Sequence, residues 1–329
     1  MIEIITSPGG IILPALALDL MLGDPVYPLH PVRLCGKLLA SQEKILRRMK
    51  LNGYGGGIIL FILLSVSCLG CVEFIRQIMV AIHPVAEYFW KLYVVWSLLA
   101  LGDLCKHGKR IAKAIDDDDL PEARNAVGTL VGRDLDKMDK HDCCRAGIES
   151  ISENLTDGVV SPLLFYLVFG IPGMVIFKVV STMDSMVGYK SEKYLKFGWC
   201  GARLDDAMNY VPARLTWGFV CILAYLLPTF DGVAAFKTGL TKRKLFPGPN
   251  SGWSEAAAAG ALSLMLIGPV WRNGVLVTDL WIGPQNGTRF PSTMDLRKML
   301  LLSKLTTILI TVCATSLLPW IPVLTLFPS

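Results

Sequence analysis

The sequence predicts an all-α, polytopic integral membrane protein, and three observations carry that prediction. Of its 329 residues 53% are hydrophobic and only 18% charged, whereas soluble domains carry about 25% charged residues. Apolar runs nearly free of charge recur at 57–72, 93–101, 159–180, 215–230, 256–270 and 305–318, the last merging into an apolar tail that reaches Phe327. Basic residues gather between the runs: 33–50 holds six Lys/Arg and one acid, which the positive-inside rule assigns to the cytoplasmic side. A crossing needs about 20 apolar residues and several runs are shorter, so about five to seven membrane elements are expected.

Taken in order, the first run, 11–22, is short and carries Asp19. The chain opens with Glu3 and no basic n-region, so insertion is expected through the first helices and not through a cleaved signal. Two crossings, near 57–80 and 88–101, then return the chain to the cytoplasmic side. Nine cysteines, an odd count and mostly scattered, argue against a disulfide framework. Cys68 and Cys71 lack a second ligand pair, so they are read as packing residues. The net charge of +5 is that of inward-facing basic loops, and no nucleic-acid partner is expected.

The block 103–157 contains a basic stretch at 106–113, four aspartates at 116–119 and a helix start at Pro121. An acidic run before a helix N-terminus reads as a solvated cap. The run 159–180 is interrupted by Gly170-Ile171-Pro172-Gly173, leaving halves of about ten residues, or about 15 Å each. Neither half spans a bilayer, and a re-entrant hairpin is preferred to one kinked crossing, which keeps Lys140 and Lys190 on one side. No repeat or linker divides the chain. It reads as a single membrane-embedded catalytic domain over 1–329, with polar blocks near 19–32, 133–158, 181–214 and 249–255.

The densest polar block runs from Arg133 to Asp157. Arg145, Glu149 and Glu153 are spaced four apart and share one helix face; Asn154 and Asp157 follow immediately. A salt-bridged surface helix is the plain alternative, but an ionisable cluster beside an apolar run is costly unless used. In the next block Asp184 is the only acid between Gly158 and Glu192, where a helix cap competes with metal binding. Beyond it, Arg203-Leu-Asp205-Asp206-Ala-Met-Asn209 places Asp205 and Asn209 on one face, and hard oxygen ligands of this kind suit magnesium. Asp206 is expected to pair with Arg203, three residues back.

The block Asn250-Ser-Gly-Trp253-Ser-Glu255 opens an Ala-rich run and reads as a capped turn able to meet an anion, or as a plain helix start. At the N-terminus, Asp19, Asp24 and His30 adjoin an apolar helix, where a structural histidine is the more frequent case. No phosphate loop is present: Gly102 and Gly108-Lys109 have the wrong spacing, and Arg110 stands in the Ser/Thr position. Any ATP would be held by Arg/Lys clamps and metal-bearing carboxylates.

Taken together, Asp19…Gly23-Asp24-Pro25…His30-Pro31-Val32, Glu149-Ser…Glu153-Asn154…Asp157-Gly158, Thr182-Met-Asp184-Ser-Met-Val-Gly188-Tyr-Lys190, Arg203-Leu-Asp205-Asp206…Asn209…Pro212-Ala-Arg214 and Pro249-Asn250…Gly252-Trp253…Glu255 resemble the adenosylcobinamide-phosphate synthase family. The resemblance runs from Asp19 to about Leu262. Ser254 departs from a frequent Pro, and 272–298 matches poorly. The resemblance implies an ATP-dependent amide bond between adenosylcobyric acid and an amino-alcohol phosphate such as aminopropanol phosphate, giving adenosylcobinamide phosphate. It also implies Mg2+, a corrinoid substrate, the inner cell membrane in multi-pass topology, and other late cobalamin-pathway membrane enzymes as partners.

Under that resemblance, Asp184, Asp205, Asp206 and Asn209 are expected at the metal. Glu149, Glu153, Asn154 and Asp157 are expected to be catalytic, with Glu149 or Glu153 as the base. Arg133, Lys190, Arg203, Arg214, Asn250 and Trp253 are expected at the nucleotide and phosphates. One topological demand follows: if 215–230 crosses once, the Asn250 block lands opposite Arg214 unless another half-crossing intervenes. A transporter or channel is the competing reading, since acids and a broken helix also describe ion pathways. Against it, the charges cluster at helix ends with Asn, Gly and Lys. A membrane phosphotransferase for alcohol-linked nucleotides is a further alternative, but its Asp-Gly continuation is missing after Asp157-Gly158.

Overall fold

Helix boundaries follow local chemistry. Pro31 opens α2 (Pro31–Arg48) at a position whose N–H is unpaired in any case, and Arg47 and Arg48 occupy its last turn, where the helix dipole favours cations. Asp119 caps α6 (Leu120–Gly128) by accepting the Glu122 N–H at 2.9 Å. The other aspartates of that run pair with Arg297, Lys113 and Lys140, so the acidic run is the solvated cap that its position predicts. Asp139 and Asp142 form a reciprocal capping box at the start of α7 (Lys140–Asn154).

The computed structural model describes residues 8–24, 27–246 and 248–317; the readings at Glu3, at Pro25 and on the tail to Phe327 lie outside them. The remaining helices are α1 (Pro8–Leu22), α3 (Tyr54–Ile82), α4 (Pro84–Ser97), α5 (Leu101–Asp116), α8 (Ser161–Val187), α9 (Trp199–Met208), α10 (Tyr210–Leu226), α11 (Gly232–Lys242), α12 (Ser251–Ala261) and α13 (Thr293–Leu317). A six-residue π-helix, Leu155–Val160, links α7 to α8. The protein is all-α apart from a small excursion in which β1 (Leu266–Ile267) pairs antiparallel with β4 (Trp281–Ile282) and β2 (Val270–Arg272) with β3 (Val275–Thr278).

Among the described residues three helical stretches are long and apolar enough to cross a membrane, Tyr54–Ile82, Lys140–Val187 and Thr293–Ser316, and Gly9–Leu22 is a shorter apolar helix. Along α3, Ile58, Ile62, Leu63, Val66, Phe74 and Ile78 all lie exposed, as expected where lipid and not water is the solvent. The run 256–270 is not a membrane helix. It turns at Leu262 into the β excursion, and α12 is buried along its length. An apolar helix of about 10–14 residues is more often a core element.

Cα packing resolves two units. Met1–Ala100, Ser161–Asn209 and Thr311–Ser329 form one; Leu101–Val160 and Tyr210–Ile310 form the other. The first is centred on Cys35, Leu39, Leu46, Leu60, Leu64, Val179, Met183, Val187 and Phe197. In the second, α12 packs closely on α11, with Ala256, Ala257, Ala258 and Ala259 fully buried.

Within the first unit, α8 reverses at Gly170, whose φ of 66° and ψ of −160° lie where only glycine is comfortable. A Cβ on Gly173 would sit 2.8 Å from the Phe165 carbonyl oxygen, and the Phe165 and Phe177 rings stack with centroids 5.3 Å apart. In an uninterrupted helix those pairs would be about 12 and 18 Å apart along the axis. The two limbs are therefore a helical hairpin, as the Gly-Ile-Pro-Gly interruption predicts.

Candidate active site

In the first unit the hairpin's returning limb delivers Asp184 beside α9. Gly201 makes the approach possible: a Cβ there would meet the Met183 Cβ at 2.9 Å and the Asp184 nitrogen at 3.3 Å. Asp205 and Asp206 then share the electrostatic neighbourhood of Asp184. Burial, assisted by the Asp184 and Asp206 charges, pushes Asp205 up to about 7. Burial also raises Asp206, while the Arg203 and Lys190 charges act in the opposite direction. The expected pairing is present, with Arg203 Nη1 4.0 Å from Asp206 Oδ2. The structure thus brings Asp184, Lys190, Arg203, Asp205 and Asp206 into one neighbourhood.

Asn209 takes a different place. Its Oδ1 accepts the Ser161 hydroxyl at 2.5 Å, its Nδ2 donates to Asp205 Oδ2 at 2.9 Å, and the residue is buried. It shares a face with Asp205 as predicted, but it orients that carboxylate instead of offering a vacant oxygen. Among the described residues no group of three or more His, Cys, Asp and Glu side chains is arranged to enclose a metal ion.

In the second unit Glu149 is buried and both its oxygens are engaged. Oε2 accepts Arg133 Nη2 at 2.5 Å and Oε1 accepts the backbone N–H of Ile267 at 2.6 Å. Arg145, one turn earlier, does not join the carboxylates. It pairs with Asp142, and its Nε donates to the Ile267 carbonyl at 3.1 Å. The shared face is real, and two of its members, Arg145 and Glu149, grip the same β-strand residue. A free catalytic Glu149, and a guanidinium converging on it from Arg145, are therefore not what the geometry offers.

Glu153, one turn further on, is exposed. The Asn154 amide turns back onto its own helix, donating to the Ser150 carbonyl at 2.8 Å. Asp157 falls in the π-helix, a feature frequent at functional sites. The fourth acid is Glu255 on α12, buried, with a carboxyl raised well above the usual range by burial and by the charges of Glu153 and Glu149; Arg133 opposes the shift.

The Asn250 block and Arg214 do lie together, because α10 and α11 both pack on α12. The Arg214 guanidinium sits 3.3 Å from the Tyr210 ring centroid and 4.9 Å from that of Trp253, and Arg243 covers Trp253 at 4.1 Å. Trp253 is buried and rests on Trp217, so it is a floor for two cations and not an exposed plate for a base. Asn250 precedes α12 without a side-chain cap bond, and its carbonyl accepts the Trp253 N–H at 3.1 Å. At the N-terminus, His30 Nε2 lies 2.8 Å from Asp24 Oδ1 and is buried, as a structural histidine.

The family model described as CobD/Cbib protein matches residues 12–303. The chain belongs to this family. A protein named Cobalamin biosynthesis protein CobD from Geobacter metallireducens is 41% identical over 263 residues, covering 80% of this chain and 82% of its own. One of the same name from Klebsiella pneumoniae is 36% identical, covering 81% and 84%. Cobalamin biosynthesis protein CbiB from Salmonella typhi is 36% identical, covering 82% and 85%. No solved structure matches the chain.

The CobD/Cbib match takes in the β excursion, which the reading of the five blocks left out. Sequence reasoning did not single out Glu255 as a site acid, nor Arg243 as a partner of Trp253. An acid heading an Ala-rich apolar run was the available signal for Glu255; Arg243 had none, since it lies in a basic stretch and meets Trp253 only through folding.

Proposed function

We propose that the chain acts in cobalamin biosynthesis as a multi-pass enzyme of the inner cell membrane, an ATP-dependent ligase. It would join adenosylcobyric acid to an amino-alcohol phosphate such as (R)-1-aminopropan-2-ol phosphate and make adenosylcobinamide phosphate. The coarse role is supported by relatives named for cobalamin biosynthesis at 35–41% identity over about 80% of the chain. The chemistry is supported by one observation above the others: two groups of neighbouring acids, one at Asp184, Asp205 and Asp206, the other at Glu149, Glu153 and Glu255, in which burial first and adjacent carboxylates second raise Asp205 and Glu255.

A carboxylate resists attack by an amine until it is activated. The corrin propionate would accept the γ-phosphoryl group of ATP, leaving ADP and an acyl phosphate. The amine nitrogen then attacks the acyl carbon, the C–O bond to phosphate breaks, and orthophosphate leaves with the amide formed. The ammonium must lose a proton before it attacks, and Glu153, exposed beside other carboxylates, is the base this reading assigns. Glu149 is assigned to holding Arg133 and Ile267, and the buried Glu255 to the electrostatic surroundings of Glu153. Asn154 and Asp157 shape the helix that carries Glu153.

In the first unit, Asp205 with Asp184 or Asp206 would hold Mg2+, which keeps several waters, takes one or two carboxylates and binds phosphate oxygens; the excess of carboxylate there fits such an ion. Bound, it would neutralise charge on the transferring phosphoryl group. Asn209 is assigned to aiming Asp205, and Lys190 and Arg203 to phosphate oxygens. Arg214 and Asn250, with Trp253 as support, are assigned to an anion in the second unit. Other late-pathway membrane enzymes are proposed as partners.

The decisive experiment is direct. Purified protein in detergent, given adenosylcobyric acid, aminopropanol phosphate, ATP and Mg2+, should yield adenosylcobinamide phosphate with one ADP per amide. No amidated corrin, under conditions where a known ligase turns over, would overturn the reading.

A further inference from the structure

The basic end of α2 has no part in the chemistry above, and it is a strongly charged concave surface of the first unit. A groove of about 470 Å3 is lined by Ala40, Glu43, Lys44, Arg47, Arg48 and Lys193. Four cations face one carboxylate. Glu43 is already committed, accepting Arg47 Nε at 2.7 Å with Lys193 Nζ 3.8 Å away. Arg47 is also held by the Lys193 carbonyl at 3.2 Å and lies over the Phe197 ring at 4.4 Å. One guanidinium thus forms a fixed floor, while Lys44, Arg48 and Lys193 remain exposed around it. An anion is what this arrangement lacks.

The position of the groove says which anion. A Cβ on Gly56 would meet the Leu51 carbonyl at 2.0 Å, so the short link after α2 lies against the first turn of α3, the 29-residue membrane helix. At that same turn Tyr54 and Trp199 meet edge to face, with centroids 5.5 Å apart, and both are exposed. Exposed Tyr and Trp at the end of an apolar helix mark the level of lipid headgroups. The segment carrying the cations is the one whose Lys/Arg excess points to the cytoplasmic leaflet, where anionic lipids concentrate.

We propose that this groove binds the headgroup of an anionic phospholipid: the phosphodiester meets Arg47 and Arg48, and Lys44 and Lys193 close over it. Phosphate chemistry alone would also suit a soluble phosphate. The interfacial aromatics and the apolar face of α3 favour the lipid, whose acyl chains would lie along that helix.

The test uses the intact protein in detergent micelles and in nanodiscs. Native mass spectrometry should show phosphatidylglycerol retained and phosphatidylcholine not, and 10 mM inorganic phosphate should leave the retained lipid in place. Equal retention of both lipids, or displacement by inorganic phosphate, would overturn the proposal, the latter by showing a site for soluble anions. K44Q and R48Q should each weaken phosphatidylglycerol retention about fivefold, with an unchanged circular dichroism spectrum. Both side chains are exposed, so neither change removes packing. Undiminished retention in the double variant would also overturn it. None of these outcomes depends on which reaction the protein catalyses.

Discussion

Glu149 and Ile267, 118 residues apart, are joined by a 2.6 Å bond from the Ile267 N–H to the carboxylate. Ile267 has φ of 69°, a costly conformation for a β-branched residue, and Arg145 holds its carbonyl from the same helix face. The α7 face therefore fixes the β excursion and supports its strained residue.

Removing that grip should be a folding defect. In Glu149→Ala the Arg133 guanidinium loses its carboxylate and the Ile267 N–H its acceptor, a change expected to cost about 3–5 kcal/mol. Glu149→Gln keeps an acceptor for Ile267 and should lose less. Thermal unfolding in detergent, with limited proteolysis of 264–290, checks the order. A Glu149→Ala protein as stable as the parent would remove the latch.

Glu153→Gln should behave in the opposite way, retaining stability while the amide-forming rate falls about 10²–10⁴-fold. The rate defect should shrink at high pH, where more of the amine arrives already deprotonated. Normal turnover at pH 7 would take Glu153 out of the proton transfer.

Glu255 predicts a pH dependence of stability. Its folded pKa lies above the unfolded value of about 4.3, so the fold favours the protonated form. That stability is fully present below about pH 4 and is lost as pH rises toward and through the folded pKa. Glu255→Gln, neutral at all pH, should flatten the fall of melting temperature with rising pH above 4. Parallel curves for the two proteins would show that the acid is not desolvated.

Asp205, pushed up to about 7, must lose its proton to ligate a cation. Below pH 7 the apparent Mg2+ requirement should rise, approaching tenfold per pH unit. Asp205→Asn should abolish turnover at ordinary Mg2+ and remove this pH dependence. Asp206→Ala should change stability by less than about 1 kcal/mol, because its 4.0 Å contact with Arg203 is solvent-facing. Titrating Mg2+ against activity at three pH values checks both variants.

The hairpin is open to crosslinking. Cysteines at Phe165 and Phe177 should be bridged by a short bifunctional thiol reagent, which two positions about 18 Å apart along a straight helix would resist. Gly170→Ala should destabilise by about 1–3 kcal/mol, since φ of 66° with ψ of −160° is closed to a side chain. Absence of crosslinking in a folded double-cysteine protein would restore a kinked crossing.

What the sequence determined by itself was local or compositional: the helical membrane class, the cap in the 116–119 acidic run, the break at Gly170, the common faces of Glu149 with Arg145 and of Asp205 with Asn209, and the family. Each depends on spacing along one helix or on the transfer of whole runs out of water, and both are written in nearest-neighbour order. Tertiary structure alone decided that Glu149 and Arg145 meet at Ile267, that Asn209 is occupied by Ser161, that Arg243 covers Trp253, and that Glu255 lies buried among other acids. It also decided that 256–270 is core and strand instead of membrane, because an apolar run leaves water equally well into lipid or into protein, and only the packing of α11 on α12 selects between them.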